Sequence, residues 1–238
     1  MLELKNICFN RDNKQILDNI NLKLDTDKFV VITGPNGSGK STLVKIIMGI
    51  ESADSGQVIL NGEDITRKSI DERAKLGIGF AFQQPVKFKG ITVYDLLKLS
   101  ANKEINKKEA CEILSKVGLC AKEYVDREVN SSLSGGELKR IEIATVAVRN
   151  SKLTIFDEPE AGIDLWSFQS LIKIFEDMRK TIKGTTLIIS HQERILNIAD
   201  EIILMDSGKV KSMGTKDEMY EKVLKSTMCC KLGGNTNG

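Results

Sequence analysis

"FVVITGPNGSGKST", residues 29–42, decides the fold. Its first five residues, 29–33, are dominated by apolar and β-branched types, which suits a strand covered on both faces. The run stops at Gly34, and Gly34, Gly39, Lys40 and Ser41 satisfy the pattern G-x-x-x-x-G-K-S/T. From about Gly39 to Met48 the chain reads as a helix, with Gly49 as its stop. Strand, glycine-rich turn and helix in that order form a cradle for phosphate. The glycines let backbone N–H groups turn inward, and the helix start adds about half a positive charge. Pro35, Asn36, Gly37, Ser38 and Thr42 complete the loop. Lys40 can reach β- and γ-phosphates, and the Ser41 hydroxyl can ligate magnesium. An ordinary βα turn would not require Lys-Ser-Thr at that offset.

Working outward, 2–9 and 20–24 alternate apolar and polar, as strands of a half-exposed antiparallel sheet do. Strands are also expected at 57–62 and 78–82. From Val86 to about Asn150 the chain turns helical and lysine-rich, with Asn106 and Glu109 as a helix start. Alternation then resumes: strand 153–158, helix 165–182, strand 185–190, helix 192–199, strand 201–205 and its partner 209–213. Thr215 and Glu218 form a capping-box pattern for a last helix. Alternating strands and helices imply α/β architecture with a parallel sheet and right-handed crossovers. The expected division is a catalytic α/β core with a β subdomain (1–85 and 151–225), an inserted helical subdomain (86–150) and a flexible tail (226–238). The hinges are expected near Gln83–Pro85 and near Asn150.

"LTIFDEP" supplies a second half to the site. Asp157 and Glu158 follow an apolar strand, and ligands of open α/β sheets gather at the carboxyl ends of strands. Asp157 is placed to hold Mg²⁺, and Glu158 to polarise an attacking water. Gln83, after "GFAF", can touch magnesium or that water through its carbonyl oxygen; a polar loop residue is the plainer account. His191, again at a strand end, can donate to a γ-phosphate.

Another helix start is written in "SSLSGGELKR", residues 131–140. Ser134 and Glu137 form a capping box. Leu138, Ile141, Ala144, Thr145 and Val148 make a buried stripe, with Lys139, Arg140 and Glu142 elsewhere on the helix. A cap alone does not account for Gly135 and Gly136, since glycine costs a helix interior about 1 kcal/mol relative to alanine. Two in a row suggest a close approach of backbone to an anion.

The 238 residues hold 35 Lys+Arg against 33 Asp+Glu, a net charge of +2, so charge favours neither nucleic acid nor membrane. "MLELKNICFN" has no apolar signal core, and no apolar run reaches the roughly 18 residues of a bilayer span. A soluble, cytoplasmic chain without direct membrane insertion is expected. Cys8, Cys111, Cys120, Cys229 and Cys230 lack zinc-type spacing and read as reduced thiols.

The ordered set "GPNGSGKS", Gln83, "LSGGE", "TIFDE", "AGID" and His191 resembles the ATP-binding-cassette (ABC) ATPases over nearly the whole chain. The resemblance implies Mg-dependent ATP hydrolysis on a P-loop fold with a RecA-like core. It also implies transient head-to-tail homodimerisation, in which Ser134, Gly135, Gly136 and Glu137 of one copy close the other copy's ATP site. Asp164 falls in the D-loop "AGID". Phe9 lies about where the family stacks an aromatic on adenine, and a strand core residue is an equal account of it. Within the family, "FAFQQPVKFKGITV", "REVNSSLSGGELKRIEI" and "ISHQERIL" look closer to the ATPase subunit of the SUF iron–sulfur cluster assembly system, SufC-like. That resemblance implies a SufB/SufD-like scaffold partner docking near Gln83 and residues 84–100. One stretch departs: "PEAGIDLWSF" stands where the SUF subunits often have an Asp-Ser-Gly-Leu-Asp-like loop. The nucleotide-binding subunit of an ABC transporter is the alternative.

Overall fold

The computed structural model describes residues 1–83, 88–101, 103–181 and 184–223. Elements run β1 (Leu2–Arg11), β2 (Lys14–Leu24), β3 (Phe29–Thr33), α1 (Lys40–Met48), β4 (Ser55–Leu60), β5 (Glu63–Asp64), α2 (Ile70–Lys75) and β6 (Ile78–Ala81). Four helices follow: α3 (Val93–Ser100), α4 (Lys107–Lys116), α5 (Ala121–Tyr124) and α6 (Gly135–Val148). The last elements are β7 (Leu153–Asp157), α7 (Leu165–Thr181), β8 (Thr185–Ile189), α8 (Glu193–Asn197), β9 (Glu201–Asp206) and β10 (Lys209–Thr215). Contacts divide the chain into two compact units, residues 1–73 with those from 187 on, and residues 74–186.

The first unit holds an antiparallel sheet in the order β2-β1-β4-β5. Its apolar face is not a plain alternation. Leu2 and Leu4 are buried, then Ile7 and Phe9, because the register slips between Leu4 and Ile7 where Asn6 sits at φ 50°. A bulge of this kind keeps apolar side chains on one face after an extra residue. Asn19, at φ 52°, lies between buried Leu17 and Ile20 in β2. Strict alternation therefore found only 20–24 of a strand that begins at Lys14.

The unit's second sheet places β3 parallel to β9 and β9 antiparallel to β10. All five β3 residues are buried, as a central strand requires. Asp200 braces its start: Phe29 N–H donates to the Asp200 carboxylate at 2.8 Å, and Asp200 N–H to the Phe29 carbonyl at 2.8 Å. The far end of α1 is held by a residue that pattern reading passed over. Arg73, 3% exposed, donates to the carbonyls of Ile46 (2.6 Å), Ile47 (2.8 Å), Thr66 (2.8 Å) and Lys68 (2.9 Å). It thereby fills acceptors that a helix C-terminus leaves open. Thr215 and Glu218 exchange the expected reciprocal hydrogen bonds, and 216–223 are helical.

In the second unit β6 and β7 pair in parallel, from Ile78 against Leu153 to Ala81 against Phe156. Phe156 and Phe175 of α7 meet edge to face at 5.1 Å. Helices α3, α4 and α6 each start with a reciprocal capping box, at Thr92/Asp95, Asn106/Glu109 and Ser134/Glu137. The architecture is the mixed α/β, P-loop arrangement expected, with parallel and antiparallel sheets and a run of helices between β6 and β7. Pro85, residues 84–87 of the proposed docking segment, Cys229, Cys230 and the tail from 226 on lie outside the described residues.

Candidate active site

The cradle belongs to the first unit. Gly34, Gly37 and Gly39 take φ of 142°, 79° and 96°, where an L-residue is strained. At Gly34 the demand is also spatial, because a Cβ there would sit 2.0 Å from the Met205 carbonyl oxygen of β9. Gly39 is the N-cap of α1 and offers no side-chain cap, and no acidic residue occupies the first turn. The helix start is thus not closed by a capping side chain of its own. Lys40 is buried and folds back to donate to the carbonyls of Gly34 and Pro35, each at 2.8 Å. The Ser38 hydroxyl, 3% exposed, is buried in the loop without a hydrogen-bond partner. Pro35, Asn36 and Gly37 are exposed, and Ser41 and Thr42 are half-buried on the first turn.

His191 is exposed just beyond β8. Ser190, fully buried, anchors it: its N–H donates to Ile32 at 3.1 Å and its hydroxyl accepts from Gln192 N–H at 3.0 Å. Phe9 of β1 pairs with Leu17 of β2, is 7% exposed, and has the Arg11 guanidinium 5.5 Å from its ring centroid. A purine would have to displace that guanidinium to stack there.

The second unit holds the carboxylates. Asp157 ends β7 and is 7% exposed. Glu158, next in the chain, takes φ 45°, and its carbonyl accepts from Ala161 N–H at 2.9 Å. A non-glycine residue in this region is strained, and such strain concentrates where a side chain must be aimed. The aim is visible: Gln83 Nε2 donates to Glu158 Oε2 at 2.8 Å. Sequence reading proposed these two residues separately, and the fold joins them. It did not single out Glu160, which is buried in the same turn. Asp164 immediately precedes α7, where its carbonyl accepts from Phe168 N–H at 2.9 Å.

At the start of α6, Ser134 Oγ accepts from Glu137 N–H at 3.3 Å and the Glu137 carboxylate accepts from Ser134 N–H at 2.7 Å. The Tyr124 hydroxyl also donates to Glu137. That bond, more than the Ser134 contacts, holds the Glu137 carboxyl below its ordinary pKa, and it raises that of Tyr124. A Cβ on Gly135 would meet only the Gly162 carbonyl, at 3.8 Å, so packing around it leaves room for a side chain. One sequence expectation is corrected on α6: Thr145 and Val148 of the expected buried stripe are half-buried, whereas Lys139, set outside that stripe, has a side chain only 2% exposed, beside Glu142 at 12%.

Comparison with known proteins identifies the family. The ABC transporter family profile matches residues 17–161. The chain is 38% identical over 230 residues to an uncharacterized ABC transporter ATP-binding protein, MJ0035, of Methanocaldococcus jannaschii, covering 93% of this chain and 91% of that one. It is 35% identical over 212 residues to the sulfate/thiosulfate import ATP-binding protein CysA 2 of Shewanella oneidensis, covering 86% of this chain and 59% of that protein. The solved structure of MJ1267, an ATP-binding cassette of an ABC transporter, matches with a TM-score of 0.82 at 29% identity, over 96% of this chain and 97% of that one. The chain therefore belongs to the ABC transporter family of ATP-binding cassettes. It is an ATPase. These likenesses carry the transporter alternative better than the narrower resemblance to a SUF subunit. Among the described residues no helix is long and apolar enough to cross a membrane.

Proposed function

We propose that the chain is the ATP-hydrolysing subunit that powers a transporter, working as a head-to-tail pair and docking on membrane-spanning partner subunits. The observation that carries this reading is the 93% of the chain aligned with a transporter ATP-binding protein. The contact of Gln83 with Glu158 supports it at the level of chemistry.

In this reading the backbone N–H groups of residues 34–42 and the Lys40 ammonium bind the phosphates of ATP. The buried Ser38 hydroxyl is a polar group that bound phosphate would satisfy. Ser41, Gln83 and Asp157 would hold Mg²⁺, an all-oxygen donor set that suits a hard cation. The ion's contribution is to neutralise charge on the phosphate oxygens. Glu158 accepts the proton of the attacking water, and Gln83 keeps its carboxylate aimed until water takes that place. His191 donates to the γ-phosphate. Ser134 and the Gly135 and Gly136 N–H groups of a second copy complete the site, with Asp164 at the same seam and residues 86–150 carrying them.

A second reading, a SUF-type assembly ATPase with a SufB/SufD-like scaffold, rests on the resemblance of "FAFQQPVKFKGITV", "REVNSSLSGGELKRIEI" and "ISHQERIL" alone. One experiment addresses pairing, chemistry and partner together. Glu158→Gln should keep ATP affinity and lower turnover by about 10²–10⁴-fold. With ATP it should form a stable pair on sedimentation, and the trapped pair should capture a membrane-spanning protein. Near-normal turnover removes Glu158 as base, an ATP-loaded monomer removes the pair, and capture of a water-soluble β-rich scaffold instead selects the second reading.

A further inference from the structure

β6 ends at Ala81, so Phe82 is the first residue without ladder partners. Its ring does not hold it in place, being 46% exposed with an edge-to-face contact to Phe80 at 4.7 Å. Its backbone is held instead, from both sides, by charged residues of α6. Phe82 N–H donates to Glu142 Oε1 at 2.7 Å. Lys139 Nζ donates to the Phe82 carbonyl and reaches the Gln83 carbonyl at 3.4 Å. Lys139 and Glu142 also pair with each other at 2.9 Å. Burial of two charges is costly unless their remaining hydrogen-bonding capacity is met. Here the backbone of residues 82 and 83 meets it. The next link is the Gln83 side chain, which donates to Glu158 at 2.8 Å. Hydrogen bonds to the Gln83 backbone and from the Gln83 side chain thus link α6, whose N-cap is Ser134, to the carboxylate of Glu158.

We propose that Lys139 and Glu142 are positioning residues: together they clamp the Phe82–Gln83 backbone to α6 and so fix where Gln83 holds Glu158. The proposal rests on the reading of Glu158 as base given above. The clamp has a polarity, cation to carbonyl and carboxylate to N–H. An ion pair that served stability alone would not depend on it.

The polarity gives the test, made on the full-length chain with ATP turnover, KM for ATP, thermal midpoint and hydrogen exchange at the Phe82 amide as readouts. Lys139→Arg keeps a donor and should keep kcat within about twofold. Lys139→Met should lower kcat by about tenfold, the effect of one charge-assisted hydrogen bond, with KM unchanged. The exchange of charges, Lys139→Glu with Glu142→Lys, restores an ion pair but turns an ammonium toward the Phe82 N–H. It should stay as slow as Lys139→Met, with the Phe82 amide deprotected. Wild-type kcat in the charge-exchanged chain, or in Lys139→Met, overturns the proposal. If the exchanged chain fails to fold, Glu142→Gln against Glu142→Leu decides. Gln keeps an acceptor and Phe82 protection, Leu loses both, and equal protection in the two overturns the clamp. Glu158→Gln measured alongside separates the two ideas. Normal turnover there removes the base, whereas the Phe82 amide still reports on the clamp.

Discussion

Two helices in this chain begin with glycine-rich turns, and they treat their exposed N–H groups in opposite ways. α1 begins after Gly39 with no side-chain cap and no acid in its first turn. α6 begins after Ser134 with a full capping box and carries its own carboxylate, Glu137. The first start has no side-chain cap of its own. The second is finished by its own side chains, and the box consumes the N–H groups of Ser134 and Glu137. Those of Gly135 and Gly136 take no part in it. Under the proposed function, a second copy's phosphate would meet a start already closed by side chains, and ATP would meet one that lacks them.

Lys40→Ala is the strongest way to break that contrast. Its ammonium spans the Gly34 and Pro35 carbonyls, so its loss removes both a phosphate contact and the tie across the loop. ATP affinity should fall by about 10–100-fold, the range for one or two charged hydrogen bonds, as read by equilibrium binding. Unchanged affinity would show that the loop backbone alone makes the site.

How far the sequence disclosed each start follows from the kind of signal. Gly34 and Gly39 were legible because left-handed φ and close approach admit few residues, so composition records geometry. Ser134 with Glu137, Asn106 with Glu109 and Thr215 with Glu218 were legible because a capping box is local, all within four residues. The clamp of Lys139 and Glu142 was not. The sequence set these two only outside the apolar stripe, and the backbone they bond is that of Phe82, 57 and 60 residues away. Arg73 under α1 was hidden for the same reason, its acceptors at Ile46 and Ile47 being 27 and 26 residues distant. The contact of Gln83 with Glu158 spans 75 residues, and only motif knowledge placed both near one site. β2 was shortened because a bulge at Asn19 breaks the period on which the strand was read. Local hydrogen-bond chemistry is thus written in the sequence, and long-range polar pairing is not.

Ser134→Ala sharpens the comparison at the second start. Losing the acceptor for Glu137 N–H should cost about 1 kcal/mol. For a chain of this length that is roughly 2–4 °C in thermal midpoint, measured by calorimetry. α1 has no cap of this type to lose, so no single side-chain deletion at its start produces the same signature. A midpoint unchanged by Ser134→Ala would mean that the box is replaced by solvent at no cost, and the contrast would shrink to one of glycine content.

The smallest effect separates the charge at the second start from its shape. Glu137→Gln keeps a capping box, since Gln serves at that position, but removes the carboxylate. The Tyr124 hydroxyl and then the Ser134 contacts hold the Glu137 carboxyl below the usual glutamate value of about 4.3. Its contribution to stability is therefore full above that value and fades as pH falls through the depressed one. The same bond raises Tyr124 above its usual value of about 10, so that contribution is full below 10 and fades as pH climbs through the raised value. Both groups are half-buried at the surface, where solvent screening keeps the effect smaller than that of Ser134→Ala. Thermal midpoints of wild type and Glu137→Gln should differ most between those limits and converge toward each. A difference that stays constant into the acid range would place the stabilisation in the shape of the box and not in the charge of Glu137.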